Sequence, residues 1–127
     1  MVADDAKLEL PAAPTSARLA RAFVRRRWSG AVSSETLDAV TLCVSEMVTN
    51  ALDHARPPYE LRMERGRGRL RVEVADASVR PPVLHPLSLT APRGRGMFLV
   101  QRIASRWGVE PTTAGKRVWA EFPVATN

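Results

Sequence analysis

The sequence is poor in the residues that build disulfide frameworks and metal sites. Its 127 residues include one cysteine, Cys43, and two histidines, His54 and His85. A single cysteine excludes a disulfide within the chain, and so few cysteine and histidine side chains argue against a zinc site. No apolar run approaches the roughly 20 residues of a membrane-spanning helix, and the acidic pair Asp4 and Asp5 argues against an export signal. We therefore expect a cytoplasmic protein.

Lysine is also scarce, since Lys7 and Lys116 are the only two, and arginine supplies nearly all of the positive charge. The chain has 19 basic and 13 acidic residues, which gives a net charge of +6. That charge is compatible with a phosphate ligand, a nucleic acid or an acidic protein surface. Five arginines crowd residues 18–27, which we interpret as a solvated helix face. Direct nucleic-acid binding is the alternative, and the scarcity of aromatic residues and of recognised motifs argues against it.

The hydrophobic spacing predicts an α+β fold in one domain that covers residues 1–127. Alternation of apolar and polar residues predicts five strands, and helical spacing predicts three helices. The predicted strands cover residues 7–10, 59–64, 69–76, 109–113 and 117–124, and the predicted helices cover 16–28, 35–55 and 97–107. The order β-α-α-β-β-α-β-β indicates a two-layer α/β sandwich, with a mostly antiparallel sheet and helices on one face.

The second predicted helix combines an apolar face with a polar stripe. Glu46 and Asn50 lie one turn apart on this stripe, and Asp53 or His54 follows one turn later. Such a stripe is common on a solvated helix surface. It also brings a carboxylate and a carboxamide side by side, as a binding or catalytic site requires.

Two further features could bind a ligand. Gly94-Arg95-Gly96 precedes the third predicted helix, and the free N–H groups of a helix N-terminus suit a phosphate. Asp76 ends a strand, where its carboxylate could accept a hydrogen bond from a ligand amino group or form an Asx-turn. Ser78 adds a hydroxyl group that could serve the ligand or the turn. The proline-rich segment 78–93 predicts a long loop, and such loops are usually functional.

Four segments in this order resemble the boxes of the GHKL (Bergerat-fold) ATP-binding proteins. They are Glu46–His54, Asp76–Ser78, Arg93–Val100 and Gly115–Trp119. Within that superfamily the chain is similar to the small anti-sigma factor serine/threonine kinases of Gram-positive bacteria, especially the single-domain forms of actinomycetes. The Glu-x-x-x-Asn helix carries most of the resemblance, and it extends over nearly the whole chain.

The resemblance implies a role for individual residues. Asn50 would coordinate Mg²⁺ at the ATP phosphates, and Glu46 would be the catalytic base. Asp76 would accept a hydrogen bond from the adenine amino group, and Gly94 and Gly96 would let the backbone approach the phosphates. The full set of implied ATP-binding residues is Asn50, Asp53, His54, Asp76, Ser78, Arg93, Gly94, Arg95, Gly96, Met97 and Lys116.

The resemblance also implies partners, namely a sigma factor and an anti-anti-sigma antagonist whose serine is phosphorylated, and a homodimer. Ser78 stands where the family usually has glycine, and Lys116 stands where it usually has threonine. These departures leave open a second hypothesis, in which the chain binds ATP and a partner without transferring phosphate.

Overall fold

The computed structural model describes residues 5–80 and 96–124. Within these ranges the chain forms five strands and three helices in the predicted order. They are β1 (Ala6–Leu10), α1 (Ser16–Trp28), α2 (Ser34–His54), β2 (Tyr59–Gly66), β3 (Arg69–Asp76), α3 (Gly96–Ile103), β4 (Arg106–Pro111) and β5 (Lys116–Pro123). None of these helices has the length and apolar character needed to cross a membrane.

The strands form one sheet in the order β1-β2-β3-β5-β4. Every neighbouring pair in this sheet is antiparallel, which confirms the predicted α+β class. The last strand in the sequence, β5, therefore lies between β3 and β4 in the sheet. This position brings the first residue of β5 directly opposite the last residue of β3, so that Lys116 pairs with Asp76.

The inner face of the sheet is apolar, and α2 packs on it. Along β3 the inward residues Leu70, Val72 and Val74 are buried, as are Ala120 and Phe122 of β5. Such alternation is what an antiparallel strand with one covered face requires. Helices α1 and α3 each pack against α2. The helices thus cover one face of the sheet, as predicted.

Helix α2 is the central element of the helical layer. It begins at Ser34, and Ser33 is its N-cap, whose hydroxyl accepts a hydrogen bond from the Thr36 N–H at 3.1 Å. The helix predicted over residues 35–55 is thus confirmed, with both of its ends one residue earlier than expected. A cap at Ser33 satisfies one of the free N–H groups of the first turn.

The C-terminal boundary of α3 differs from the prediction. The helical spacing of Val100, Ala104 and Trp107 predicts a helix to about Trp107, but α3 ends at Ile103 and Trp107 lies in β4 opposite Ala120. Both the N–H and the hydroxyl of Ser105 donate to the Glu121 carbonyl oxygen at 2.9 Å. These bonds attach the chain to the sheet edge directly after the helix. Consequently β4 starts three residues earlier than predicted and ends two residues earlier.

The outer face of the sheet is polar and centres on Arg71. Its guanidinium donates to Glu73 at 2.7 Å and to Glu121 and Glu110 at 2.9 Å. It also stacks over the Trp119 ring, 4.3 Å from the ring centroid. Burial opposes the charge of Arg71, but the hydrogen bonds to Glu73 and Glu121 outweigh it, so the pKa of Arg71 is raised.

Candidate functional site

Asp76 and Lys116 form a buried ion pair on the inner face, at the edge of the apolar core. Lys116 Nζ lies 3.0 Å from Asp76 Oδ1, and the two side chains are 6% and 1% exposed, respectively. The same Asp76 oxygen accepts a hydrogen bond from the Ser78 N–H at 2.8 Å. Asp76 therefore makes an Asx-turn, which was one of the two roles that the sequence left open.

The other carboxylate oxygen, Asp76 Oδ2, is buried and has no hydrogen-bond donor among the described residues. Buried polar atoms without a partner are rare in folded proteins, and an orphaned acceptor costs roughly 1–3 kcal/mol. Asp76 and Lys116 both line a small cavity of about 10 Å³, which is close to the space that one water molecule needs. Its lining residues are Met47, Asn50, Ala51, His54, Ala55, Val74, Asp76, Met97, Lys116 and Val118.

Helix α2 supplies the polar wall of this cavity. Asn50 and His54 lie one turn apart on α2, and both line the cavity beside Asp76. Asn50 is 9% exposed, whereas His54 is an exposed residue near the end of the helix. The helical spacing of four residues thus carries one polar stripe from the interior to the surface.

Glu46 lies one turn before Asn50 on the same helix and is half-buried. It is not among the residues that line the cavity. Its charge acts on Cys43, since burial and then the neighbouring Glu46 raise the pKa of that thiol to about 12. Cys43 is therefore an uncharged core residue near neutral pH and not a nucleophile.

A larger cleft adjoins the cavity at the C-terminal end of α2. It encloses about 550 Å³ and shares His54 and Ala55 with the cavity. Ser78 contributes to this cleft, where its hydroxyl accepts a hydrogen bond from the Arg80 N–H at 3.1 Å. The cleft is lined by Asp53, His54, Ala55, Arg56, Ala77, Ser78, Val79 and Arg80.

Gly115 allows the close approach that positions Lys116. A Cβ atom at Gly115 would lie 2.2 Å from the Asp76 carbonyl oxygen and 2.7 Å from the Ala77 backbone. No side chain fits in that space, so only glycine lets the β4–β5 turn pass so close to the end of β3. The Gly115 N–H is held by the Thr112 hydroxyl at 2.9 Å.

Comparison with known families identifies this arrangement. A model of the histidine kinase-like ATPase domain matches residues 10–122, which is most of the chain. The chain belongs to the histidine kinase-like ATPase family. This membership confirms the resemblance to the GHKL proteins.

A solved structure also has a fold similar to that of this chain. That structure contains the RsbU and RsbW domains of Rv1364c from Mycobacterium tuberculosis, and the TM-score is 0.73 at 16% sequence identity. The match covers 97% of this chain but only 33% of the other chain, so the present chain spans about a third of its length. A search of curated proteins found no match.

The structure brings together part of the predicted ATP-binding set. Five of these residues line the cavity, and two more line the cleft but not the cavity. Asn50, His54, Asp76, Met97 and Lys116 line the cavity, and Asp53 and Ser78 line the cleft. Gly96 begins α3. Arg93, Gly94 and Arg95 lie outside the described residues, as does the part of the predicted 78–93 loop beyond Arg80.

The apolar wall of the cavity was not part of the predicted site. Val74 of β3 and Val118 of β5 face each other across the two strands and line the cavity next to the ion pair. Met47 and Ala51 complete this wall from α2. All four residues lie on the apolar faces of the predicted strands and of the second predicted helix. The available signal was spacing, since residues two apart on a strand or three apart on a helix share a face. Val74 and Val118 lie two residues from Asp76 and Lys116, Met47 lies three residues from Asn50, and Ala51 lies three residues from His54.

Proposed function

We propose that this chain is a cytoplasmic regulatory protein that binds ATP and Mg²⁺ between α2 and the joined ends of β3 and β5. The observation that carries the proposal is Asp76 Oδ2, a buried acceptor without a donor among the described residues, at a cavity that Asn50 also lines. The exocyclic amino group of adenine is a hydrogen-bond donor and suits this oxygen. Membership of the histidine kinase-like ATPase family supports the choice of ATP.

Asn50 is the proposed ligand of Mg²⁺, because its carboxamide offers an oxygen of the type that hard cations prefer. The described residues contain no cluster of three or more His, Cys, Asp or Glu side chains that could hold a metal by themselves. This fits a magnesium ion that takes most of its ligands from phosphate and water. When bound, the ion would neutralise negative charge on the phosphates of ATP.

Glu46 is the proposed general base for phosphate transfer to a serine hydroxyl. Its carboxylate would take the hydroxyl proton, which is the one proton transfer that this reaction requires. Glu46 and Asn50 are separated by one helical turn, so both can serve a single phosphate group that lies along α2.

The proposed partners are a sigma factor, which the protein would hold inactive, and an anti-anti-sigma antagonist, whose serine would receive the phosphate. The similarity in fold to a chain that contains RsbU and RsbW domains supports this choice. A homodimer is part of the same proposal. Nucleic acid is not a proposed partner, since Arg21 donates to Ser45 and Arg25 pairs with Asp38, so these arginines already contact α2.

Binding of ATP tests the proposal directly. In an isothermal titration with Mg²⁺, Asn50→Ala should weaken ATP binding at least about tenfold, or roughly 1.4 kcal/mol. Without Mg²⁺ the difference between wild type and variant should shrink. Thr49→Ala is the matched control, since Thr49 adjoins Asn50 but lines a different groove. Equal ATP affinities of wild type and Asn50→Ala in Mg²⁺ would remove Asn50 from the site.

A binding module without kinase activity is the second candidate. It is favoured by the position of Glu46, which lines neither the cavity nor the cleft. Glu46→Gln separates the two functions, because the amide keeps the shape of the side chain but cannot take a proton. For a kinase, this variant should slow ATP hydrolysis by about 10²–10⁴-fold while ATP still binds. Glu35→Gln, at an exposed position in the first turn of α2, should change nothing. If the wild type binds ATP but hydrolyses none, the binding module is correct.

A further inference from the structure

Lys116 occupies an unusual position for a lysine. The other inward residues of β5 are Val118, Ala120 and Phe122, all buried and apolar, and Lys116 continues their row at the end of the strand. A lysine is rarely buried unless its charge is compensated. Here the Asp76 carboxylate compensates it, and Asp76 is the only hydrogen-bond partner of the Lys116 ammonium among the described residues.

The pair presents a donor and an acceptor side by side at the cavity. The Lys116 ammonium has three N–H donors, and one of them points to Asp76 Oδ1. Asp76 Oδ2 accepts no hydrogen bond from the described residues. A ligand that enters the cavity therefore meets an anionic acceptor and a cationic donor on neighbouring strands.

We propose that Lys116 determines base specificity, by donating a hydrogen bond to the ring nitrogen next to the amino group that Asp76 accepts. This inference rests on the proposed function, since it assigns a residue to the same ATP site. Adenine has such an edge, because its amino group is a donor and the adjacent N1 is an acceptor. Guanine has the opposite order, with the O6 acceptor and the N1–H donor. In the same orientation, guanine would set O6 against the Asp76 carboxylate and N1–H against the Lys116 ammonium.

The small volume of the cavity means that Lys116 must also move when the base binds. A purine does not fit into about 10 Å³, so lining side chains must move when the base enters. Three of the lining side chains are unbranched and flexible, namely Lys116 of β5, Met97 of α3 and Met47 of α2. Each can change rotamer without moving the backbone. Lys116 would withdraw from the space that the base takes while its ammonium stays beside Asp76.

The test compares ATP with 1-deaza-ATP, in which a C–H group replaces the N1 acceptor. Wild type should bind ATP at least about tenfold more tightly, as is usual for a hydrogen bond from a charged donor. Lys116→Met keeps the length of the side chain but removes the donor, so it should bind the two nucleotides equally. Lys7→Met is the control, because Lys7 is the other lysine of the chain and is exposed. It should retain the wild-type preference.

Two results would overturn the inference while leaving ATP binding intact. Equal binding of ATP and 1-deaza-ATP by wild type would show that no donor reads N1, and this measurement does not depend on the folding of any variant. Tighter ATP binding by Lys116→Met than by wild type would show that Lys116 blocks the pocket. If wild type binds neither nucleotide, the proposed function fails, and the role of Lys116 fails with it.

Discussion

The two faces of the sheet both bury carboxylates, but they surround them differently. On the outer face, Glu73 and Glu121 have side chains that are 5% exposed, and arginines surround both of them. Their four carboxylate oxygens each lie within 3.6 Å of a guanidinium nitrogen. On the inner face, Asp76 is more deeply buried, yet one of its oxygens has no donor among the described residues.

This difference separates a structural cluster from a candidate binding site. A buried ionic cluster whose carboxylate oxygens all lie beside guanidinium groups has no vacant acceptor to offer a ligand, and its role is to hold three strands together. An orphaned buried acceptor carries a cost in the folded state, and a ligand that donates to it can recover that cost. Burial and charge alone do not distinguish the two faces. The surroundings of the carboxylate oxygens do, because Asp76 Oδ2 lacks a donor among the described residues, whereas every oxygen of Glu73 and Glu121 lies beside a guanidinium group.

The largest expected effect comes from breaking the outer cluster at Arg71. Arg71→Met would leave the buried carboxylates of Glu73 and Glu121 without their main partner. Loss of one member of a buried ion pair costs roughly 3–5 kcal/mol, and we expect the lower end because the Arg71 side chain keeps 16% exposure. The free energy of unfolding in urea measures this loss. ATP affinity, measured under conditions where the variant is folded, should not change.

The control for this prediction is Arg69→Met on the same face. Arg69 lies 3.5 Å from Glu121, but its side chain is 53% exposed, so its loss should cost no more than about 1 kcal/mol. A similar destabilisation by both variants would mean that the burial of Arg71 is not what makes its ion pairs important.

Two glycines provide a matched comparison of the two faces, with a smaller expected effect on stability than Arg71→Met. A Cβ at Gly115 would meet the backbone of Asp76 and Ala77, and a Cβ at Gly108 would meet the Trp119 ring of the outer face at 2.7 Å. Each alanine substitution should destabilise by about 1–3 kcal/mol from overpacking. Gly115→Ala should also weaken ATP binding, because it displaces the end of β3, whereas Gly108→Ala should not. Weakening of ATP binding by both variants would contradict the separation of the faces.

The sequence predicts the two faces of the sheet but not what joins its strands. Alternation along β3 and β5 separates Val72 from Arg71 and Ala120 from Glu121, so the polar and apolar faces follow from the pattern alone. The pairing of Asp76 with Lys116 depends on the register of β3 and β5, which are 40 residues apart in the chain. Nothing local determines this register, and the sequence analysis could therefore identify both residues as site candidates without recognising them as an ion pair.

The end of α3 was misjudged for a related reason. Trp107 is three residues from Ala104 and two from Val109, so it fits both a helical and an alternating pattern. The bonds from Ser105 to Glu121 decide between them, and they are tertiary. By contrast, the face of α2 that carries Asn50 was predictable, because 21 residues of one helix give an unambiguous period.

The last prediction compares one buried carboxylate from each face, Asp76 and Glu121. Asp76→Asn and Glu121→Gln both neutralise a carboxylate that is bonded to a cation, so both should lower stability. Only Asp76→Asn should alter the choice of nucleotide. Wild type should prefer ATP over GTP by roughly 1–3 kcal/mol, the cost of leaving a buried acceptor unpaired. An asparagine amide contains both a donor and an acceptor and can turn either toward the base, so the preference should narrow in Asp76→Asn. Competition of ATP and GTP for each folded variant measures this preference.

Since Glu121→Gln loses charge on the other face, an unchanged preference in that variant assigns the effect to the position of Asp76 and not to the loss of a buried charge. A wild type that binds ATP and GTP equally, or an equal narrowing in both variants, would remove Asp76 from base recognition.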